Sequence, residues 1–503
     1  MELKLNFDEV FYPQTIYENY IEDKLEGDLI LPDYLSSAQK IIHCEANPVV
    51  LNKSITDDKI TLDGICIWKI IYLSEEDDMI HSATCEKSFT ENFAISKSEG
   101  ALRYKIKTKN TVCKLLSSQK AICKTSLCIA VQVNGISSQK IVSAVENDEL
   151  QLCSNQQKTL IPVTEFDKEF KVLSEISYKP RRDMQIHKAC SELIVKERRC
   201  SEGKVVLRGI CKTTVVLISK EDCFAECVET ETPFTQTYDI ENAEEKYIVM
   251  ATVDPVECDA TINEEDGQKL ILVNTSVAAQ VSIFKEGWLM IASDAYHSQY
   301  EIETKLKPVP YYAEVSGVDI PIHCTQNVHM KTIGIDILYT ETCGEVEKIS
   351  VQDDLMIIDG KLNVMFLSML DGEVVKNSFV LPFQTTRKAE TAFERLKCDA
   401  SVAITNFNYL IINDAEIEVD CELRVCLAAY VISEMNVAET LEIKQEHTEK
   451  PMKSPLILYY GKAGEKLWDI GKKYYVPINV IKTNNDLSDD VLKEDKLIFL
   501  SKR

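Results

Sequence analysis

The side chains able to ligate a metal or act as nucleophiles are scattered, and none forms a recognised catalytic constellation. Cys223 and Cys227, with Cys190, Cys200 and His187 upstream, are the densest group of soft ligands. They lack the paired Cys-x-x-Cys spacing of structural zinc sites. The acid runs Glu75-Glu76-Asp77-Asp78 and Glu221-Asp222 offer carboxylate pairs for acid–base work, yet each falls between strand-like runs, where a solvated turn is expected. Ile42-His43-Cys44 returns as Ile322-His323-Cys324, at non-equivalent places. There is no Gly-rich phosphate loop, no Gly-x-Ser-x-Gly and no His-Glu-x-x-His. The expectation is a non-enzymatic chain with no catalytic residues, no metal site and no cofactor.

The elements that carry these residues are organised around a repeat. Lys59–Ile95 and Lys204–Ile240 align without a gap at an offset of 145 residues: Leu62, Gly64, Ile65, Cys66, Phe89 and Thr90 return as Leu207, Gly209, Ile210, Cys211, Phe234 and Thr235. Self-similarity at a fixed period marks a structural module used more than once. Asp63-Gly64 alone would suggest a hairpin turn, but the second copy has Arg208-Gly209. Each Gly is therefore expected inside a long strand, at a bend or a close backbone approach. A third copy is expected over 311–445, where Asp359-Gly360 precedes Val364-Met365-Phe366-Leu367 and Leu381-Pro382-Phe383 matches Thr232-Pro233-Phe234.

A chain of 503 residues exceeds one hydrophobic core, in keeping with several modules. A net charge of −25 argues against a phosphate-backbone partner. No run approaches the apolar length of a membrane span, and Met1–Asp8 lacks a secretory leader pattern. The 18 cysteines are dispersed, many in apolar runs, and read as buried thiols in a reducing compartment. Trp68 and Trp288 read as core residues.

The spacing predicts an N-terminal arm (1–28), β-rich modules at 29–160, 161–310 and 311–445, a polar linker (446–454) and a separate domain at 455–503. Within the modules, helices are expected at Tyr34–His43 and Met184–Ile194, a hairpin turn at Asn134-Gly135, and a turn at Glu264–Gly267. The last segment holds nine basic and seven acidic residues, a net of +2, leaving −27 on the rest. Its pattern reads strand (Leu456–Tyr460), helix (Glu465–Tyr474), helix (Asn479–Asn484) and strand (Lys496–Leu500).

That βααβ order, with Gly464-Glu465-Lys466-Leu467-Trp468-Asp469-Ile470, Tyr474-Tyr475-Val476-Pro477 and Asn484, resembles the LysM domain. The resemblance implies a shallow groove for N-acetylglucosamine-containing glycans, here mapping onto Gly464, Glu465, Lys466, Leu467 and Trp468 on one side and Asn484, Asn485 and Asp486 on the other. The chain departs from the family's Gly-Asp-Thr at Gly464-Glu465-Lys466, which points the groove toward a protein surface instead. The whole architecture resembles the SPOCS–LysM proteins of endospore-forming clostridia, carried by Ile30-Leu31-Pro32-Asp33, Leu62-Asp63-Gly64 with Ile70-Ile71-Tyr72, and Thr232-Pro233-Phe234. That resemblance implies a mainly β, multi-domain fold of three SPOCS-type modules plus a LysM domain. It also implies a scaffold of the mother-cell cytoplasm that gathers at the forespore surface, binds the coat-basement ATPase SpoIVA and other coat proteins, and helps assemble the coat. A peptidoglycan-binding LysM protein is the alternative.

Overall fold

In the computed structural model the chain is described except for residues 1–3, 97–99, 147–148, 180–181, 221–223, 266–267, 331–335, 353–354, 371–372, 389–394, 414, 448–455 and 502–503. Cys223, Glu221-Asp222 and nearly all of the expected linker lie outside the described residues.

Three six-stranded units follow one another. The first comprises β1 (Leu5–Ile30), β2 (Ala38–Ile55), β3 (Lys59–Ser74), β4 (Ile80–Ala94), β5 (Ala101–Ser117) and β6 (Lys120–Val145). The second comprises β7 (Leu150–Tyr178), β8 (Met184–Ser201), β9 (Lys204–Ser219), β10 (Ala225–Asp239), β11 (Ile248–Glu265) and β12 (Gln268–His297). The third comprises β13 (Tyr300–His329), β14 (Asp336–Gln352), β15 (Leu355–Leu370), β16 (Glu373–Lys388), β17 (Arg395–Asn413) and β18 (Glu416–Glu446). In each unit the second to fourth strands form an antiparallel sheet, and the first strand pairs with the last, which pairs with the fifth. The outer sheets of the second and third units join through Tyr312 and Leu160 into one six-stranded sheet.

Apolar alternation builds each sandwich. Along β3, Ile60, Leu62, Cys66, Trp68 and Ile70 point one way and are buried against Leu127, Ile129, Val131 and Val133 of β6. Gly64 lies in the same row, because the ring of Phe89 from β4 and the carbonyl of Val49 from β2 occupy the space a Cβ would need. Gly209 with Phe234 and Ile194, and Gly360 with Phe383 and Glu345, repeat the arrangement. Beside each Gly, one residue of the neighbouring strand is extra to the ladder: Leu51, Lys196 and Glu347. The glycines thus sit within strands, and the third copy shares the packing of the other two.

Four expectations are corrected. Tyr34–His43 and Met184–Ile194 are not helices; Ala38–His43 open β2 after an irregular stretch, and β8 runs through the second segment. Asn134-Gly135 is no hairpin turn, since β6 continues through it opposite Thr15 and Gln14; the reversal is at Ser118-Gln119. The N-terminal arm is β1, paired along its whole length with β6, and β7 and β13 likewise begin at Leu150 and Tyr300, ahead of the expected boundaries. Trp68 is buried as expected, but Trp288 is 64% exposed, because its neighbours Leu289 and Ile291 take the inward side of β12. The expected Glu264–Gly267 turn lies partly outside the described residues, which resume with Gln268 opposite Glu265.

The three units meet about a shared centre. Ile71, Val216 and Leu367 occupy the same place in β3, β9 and β15 and pack in one cluster, as do Ile80, Ala225 and Val374. Further along, Val10 and Ile141, Leu289 and Ile291, and Val309 and Val437 bring the three long strand pairs together in another. The C-terminal unit follows: β19 (Leu456–Gly461), α1 (Leu467–Tyr474), α2 (Ile478–Asn485) and β20 (Lys496–Ser501), with Leu467, Ile470, Ile481, Ile498 and Leu500 as its core. No helix among the described residues is long and apolar enough to cross a membrane.

Candidate functional site

The residues singled out in the C-terminal unit have distinct positions. Gly464 adopts a φ of +88°, with open space where a Cβ would stand, and supplies the turn after β19. The Glu465 carboxylate accepts from the Tyr459 hydroxyl at 2.5 Å and from the Lys462 backbone N–H at 3.1 Å, so it braces the loop. That bond pushes the Tyr459 hydroxyl up to about 12. Lys466 is the exposed N-cap of α1 and makes no side-chain cap bond, where a hydroxyl would satisfy an orphan N–H. Leu467 is core. The loop is closed by backbone bonds from Gly464 N–H to Leu492 and from Leu467 N–H to Asp490, both 2.8 Å.

Across the unit, Asn484 donates to the Ser501 hydroxyl at 2.8 Å. Asn485 is buried and clamps α2 to β20: its amide donates to the carbonyls of Ile481 and Phe499, and its oxygen accepts from the Phe499 N–H. Asp486 takes the left-handed C-cap position of α2, with a φ of 51°. Asn485 and Leu467 are therefore occupied in packing, whereas Lys466, Asn484 and Asp486 are exposed.

Trp468 faces the main body rather than a groove. Its ring stands edge-on to Tyr296, 5.0 Å between centroids, at the end of β12. The Tyr296 hydroxyl donates to the Val476 carbonyl at 2.8 Å, and Lys472 pairs with Asp294. His447, following β18, stacks flat on Tyr475 with centroids 3.6 Å apart and is hydrogen-bonded through Nε2 to the His297 carbonyl at 2.9 Å. His297 is fully buried, which holds its imidazole below the usual range. The last strands of the second and third modules thus form the seat of the C-terminal unit.

The sheet of that unit carries an apolar outer face. Ile457, Tyr459, Ile498 and Leu500 turn inward, leaving Leu456, Leu458, Tyr460, Leu497 and Phe499 between 42% and 62% exposed. Leu458 pairs with Phe499 and Tyr460 with Leu497, so the five are contiguous. A clustered exposed apolar face of this kind marks an interaction surface. Sequence reading overlooked it, although the strict alternation in Leu456–Tyr460 and Leu497–Phe499 carries the signal.

Of the expected metal candidates, His187 bonds the Ser82 hydroxyl at 2.7 Å, Cys190 the Thr214 carbonyl, and Cys227 is exposed. Among the described residues, two other groups bring ligand-type atoms together: Cys44, Cys113 and Cys123; and His43, Glu45 and Glu341. In the second, the Lys188 ammonium from β8 bonds both Glu45 and Glu341 at the junction of the three modules. Burial, only partly offset by Lys188, raises the Glu45 carboxyl; despite burial, His43 and Lys188 hold Glu341 well below its usual range. A cavity of about 900 Å³ also lies between the modules. Ion pairs along it, Lys53 with Asp167, Arg103 with Asp399, and Lys107 with Glu345, tie one module to another, and Arg103 also reaches Glu165 beside it. The Glu75–Asp78 run is a turn, with Asp77 bonded to His81.

With this geometry in place, comparison with known proteins shows that the family described as SipL, SPOCS domain, matches residues 37–113 and 184–263. These cover β2–β5 of the first module and β8–β11 of the second. No curated protein and no solved structure matches the chain.

Proposed function

We propose that this chain, a SPOCS protein similar to SipL, is a non-enzymatic scaffold for assembly of the endospore coat. It works from the mother-cell cytoplasm at the forespore surface and docks to the coat-basement ATPase SpoIVA through a LysM-like C-terminal domain. The observation that carries the sporulation reading is the pair of SPOCS matches over the first two modules. Docking through the C-terminal unit is supported by its apolar sheet face, which stands on the side opposite its helices. Protein–protein contacts draw on aromatic and aliphatic anchors of this kind. The Lys466 ammonium beside Gly464 and Glu465 supports a protein ligand over a glycan.

The test uses the full chain, its Leu458→Asp and Lys466→Thr variants, purified SpoIVA from the same organism and purified peptidoglycan. The chain is expected to bind SpoIVA, and Leu458→Asp to weaken that binding at least tenfold. Lys466→Thr adds a capping hydroxyl to α1, so any loss of binding it causes does not come from a weakened helix. Retention on peptidoglycan with no binding to SpoIVA overturns the reading.

A further inference from the structure

Four cysteines of the first module converge from four strands in two facing sheets. Cys113 on β5 lies directly opposite Cys123 on β6, Cys44 comes from β2 and Cys85 from β4. The Cys113 and Cys123 sulfurs are 3.0 Å apart and those of Cys85 and Cys123 3.8 Å. The sulfurs of Cys44, Cys113 and Cys123 all lie within 4.8 Å of one another. All four are free thiols. Four thiolates about 2.3 Å from one tetrahedral zinc stand about 3.8 Å from each other: Cys85 and Cys123 already have that spacing, Cys113 and Cys123 would part slightly, and Cys85, outside the close trio of Cys44, Cys113 and Cys123, would turn in to complete the set.

The fold itself does not call for sulfur here. By ladder register, Cys44 corresponds to Ala189 and Thr340 in the other two modules, and Cys85 to Thr230 and Phe379. Those modules build the same sandwich without thiols at either place. Isolated cysteines behave as small hydrophobes, but four meeting at one point in one module is a ligand set. Cys123 is buried while Cys44, Cys85 and Cys113 are half-buried, so an ion reaches the cluster from solvent without opening the core. We propose that Cys44, Cys85, Cys113 and Cys123 form a structural zinc site that pins the β5–β6 hairpin of the first module to β2 and β4. Each coordinating thiol releases its proton to solvent, and the zinc–sulfur bonds add to the stability of this module alone.

The test takes the full chain purified under reducing, chelator-free conditions. Zinc per chain is measured by elemental mass spectrometry, and cobalt is titrated into the zinc-stripped protein. One zinc per chain is expected, with the intense near-ultraviolet sulfur-to-cobalt charge-transfer band on reconstitution. Cys113→Ser should abolish both, whereas Cys66→Ser, a buried thiol of the same core outside the cluster, should leave both intact. Should Cys113→Ser fail to fold, Cys44→Ser together with chelator competition on the unaltered chain gives the same readout. Zinc well below one per chain even after added zinc, absence of the cobalt–thiolate band, equal cobalt binding by Cys113→Ser and the parent, or a Cys113–Cys123 disulfide in protein handled anaerobically would each overturn the site.

Discussion

Replacing Lys188 with Met strikes the polar junction on which all three modules converge. The ammonium bonds Glu45 of the first module and Glu341 of the third, and the side chains involved are only 18–22% exposed. His43 also faces Glu341, at 3.2 Å, while Lys376 donates to the other nitrogen of His43 at 3.0 Å. Removing the cation leaves two carboxylates facing each other in a desolvated pocket. Breaking a buried ion pair from one side costs about 3–5 kcal/mol. With two carboxylates stranded, the upper part of that range is expected at pH 8. A methionine fills the volume of the lysine stem, so a cavity contributes little.

The pH dependence identifies the cause. Without Lys188, burial raises the Glu45 carboxyl further above its unfolded value, while His43 still faces Glu341, so stability relative to the parent is regained through Glu45 as pH falls toward the carboxylate range. In the parent, Lys188 is held well above its usual range by Glu341 and Glu45, despite burial. Its contribution is therefore complete below about pH 10.4 and lost only as pH rises through its raised value. Comparing variant and parent at each pH cancels the protonation of other groups. The assay is urea unfolding at pH 8 and pH 5.5, followed by fluorescence that includes Trp68, buried in the first module. The first transition is the one read, because a three-module chain need not unfold in one step. A deficit below about 1 kcal/mol at pH 8, or one that does not shrink at pH 5.5, refutes the reasoning. Adding Glu45→Gln and Glu341→Gln to Lys188→Met should recover most of the loss.

Gly209→Ala forces a Cβ into the Ile194 carbonyl and the Phe234 ring; an overpacking cost of about 1–3 kcal/mol is expected, read as a lower thermal midpoint. Tyr296→Ala removes the bond to Val476 and the contact with Trp468, and should raise amide exchange in 467–476 while leaving β9 protected. His187, pushed down to about 3 by burial, stays neutral when folded, and His297 is lowered in the same direction by burial. Unfolded histidines take up a proton near pH 6.5, so the parent should lose stability from pH 7 to pH 5, by up to about 1.4 kcal/mol per pH unit for His187, with His297 adding in the same direction. A denaturation midpoint unchanged over that interval contradicts this.

The repeat and the C-terminal elements were legible because they rest on local pattern: the Gly and Phe pairing, the alternation of β3 and β9, and the apolar spacing of α1. What misled was the bulge. Ile42 in β2 and His187 in β8 are extra to their ladders, as is Leu338 in β14. Each inserted residue breaks the period of two, so Ile41-Ile42 and its counterpart in β8 read as a helical face. Asn134-Gly135 reflects the same physics, since Ile16 is the extra residue opposite it and the Asn-Gly pair accommodates the kink inside β6 rather than reversing the chain. The pairing of β1 with β6 carries no local signal, because Val10 finds Gln139 only when the module closes on itself. The apolar face of β19 and β20 is carried by alternation within two short strands, whereas the loop residues Gly464–Trp468 and Asn484–Asp486 stand out only through the resembled fold.

The junction also bears on why the modules follow one order. His43, Lys188 and Tyr339 share one ladder position, and Glu45, Cys190 and Glu341 share another two residues on. A trio of first modules would bring together three copies of Glu45 without Lys188, each with only Lys69 opposite it in its own ladder, a trio of second modules three copies of Lys188 without Glu45 or Glu341, and a trio of third modules three copies of Glu341. Each arrangement strands like charge in a desolvated centre, and like-charge juxtaposition penalises wrong partners by several kcal/mol. The observed trio places one ammonium between two carboxylates. The apolar residues Ile71, Val216 and Leu367 are alike in the three modules, so at this centre the charges, rather than the hydrophobic contacts, tell the modules apart.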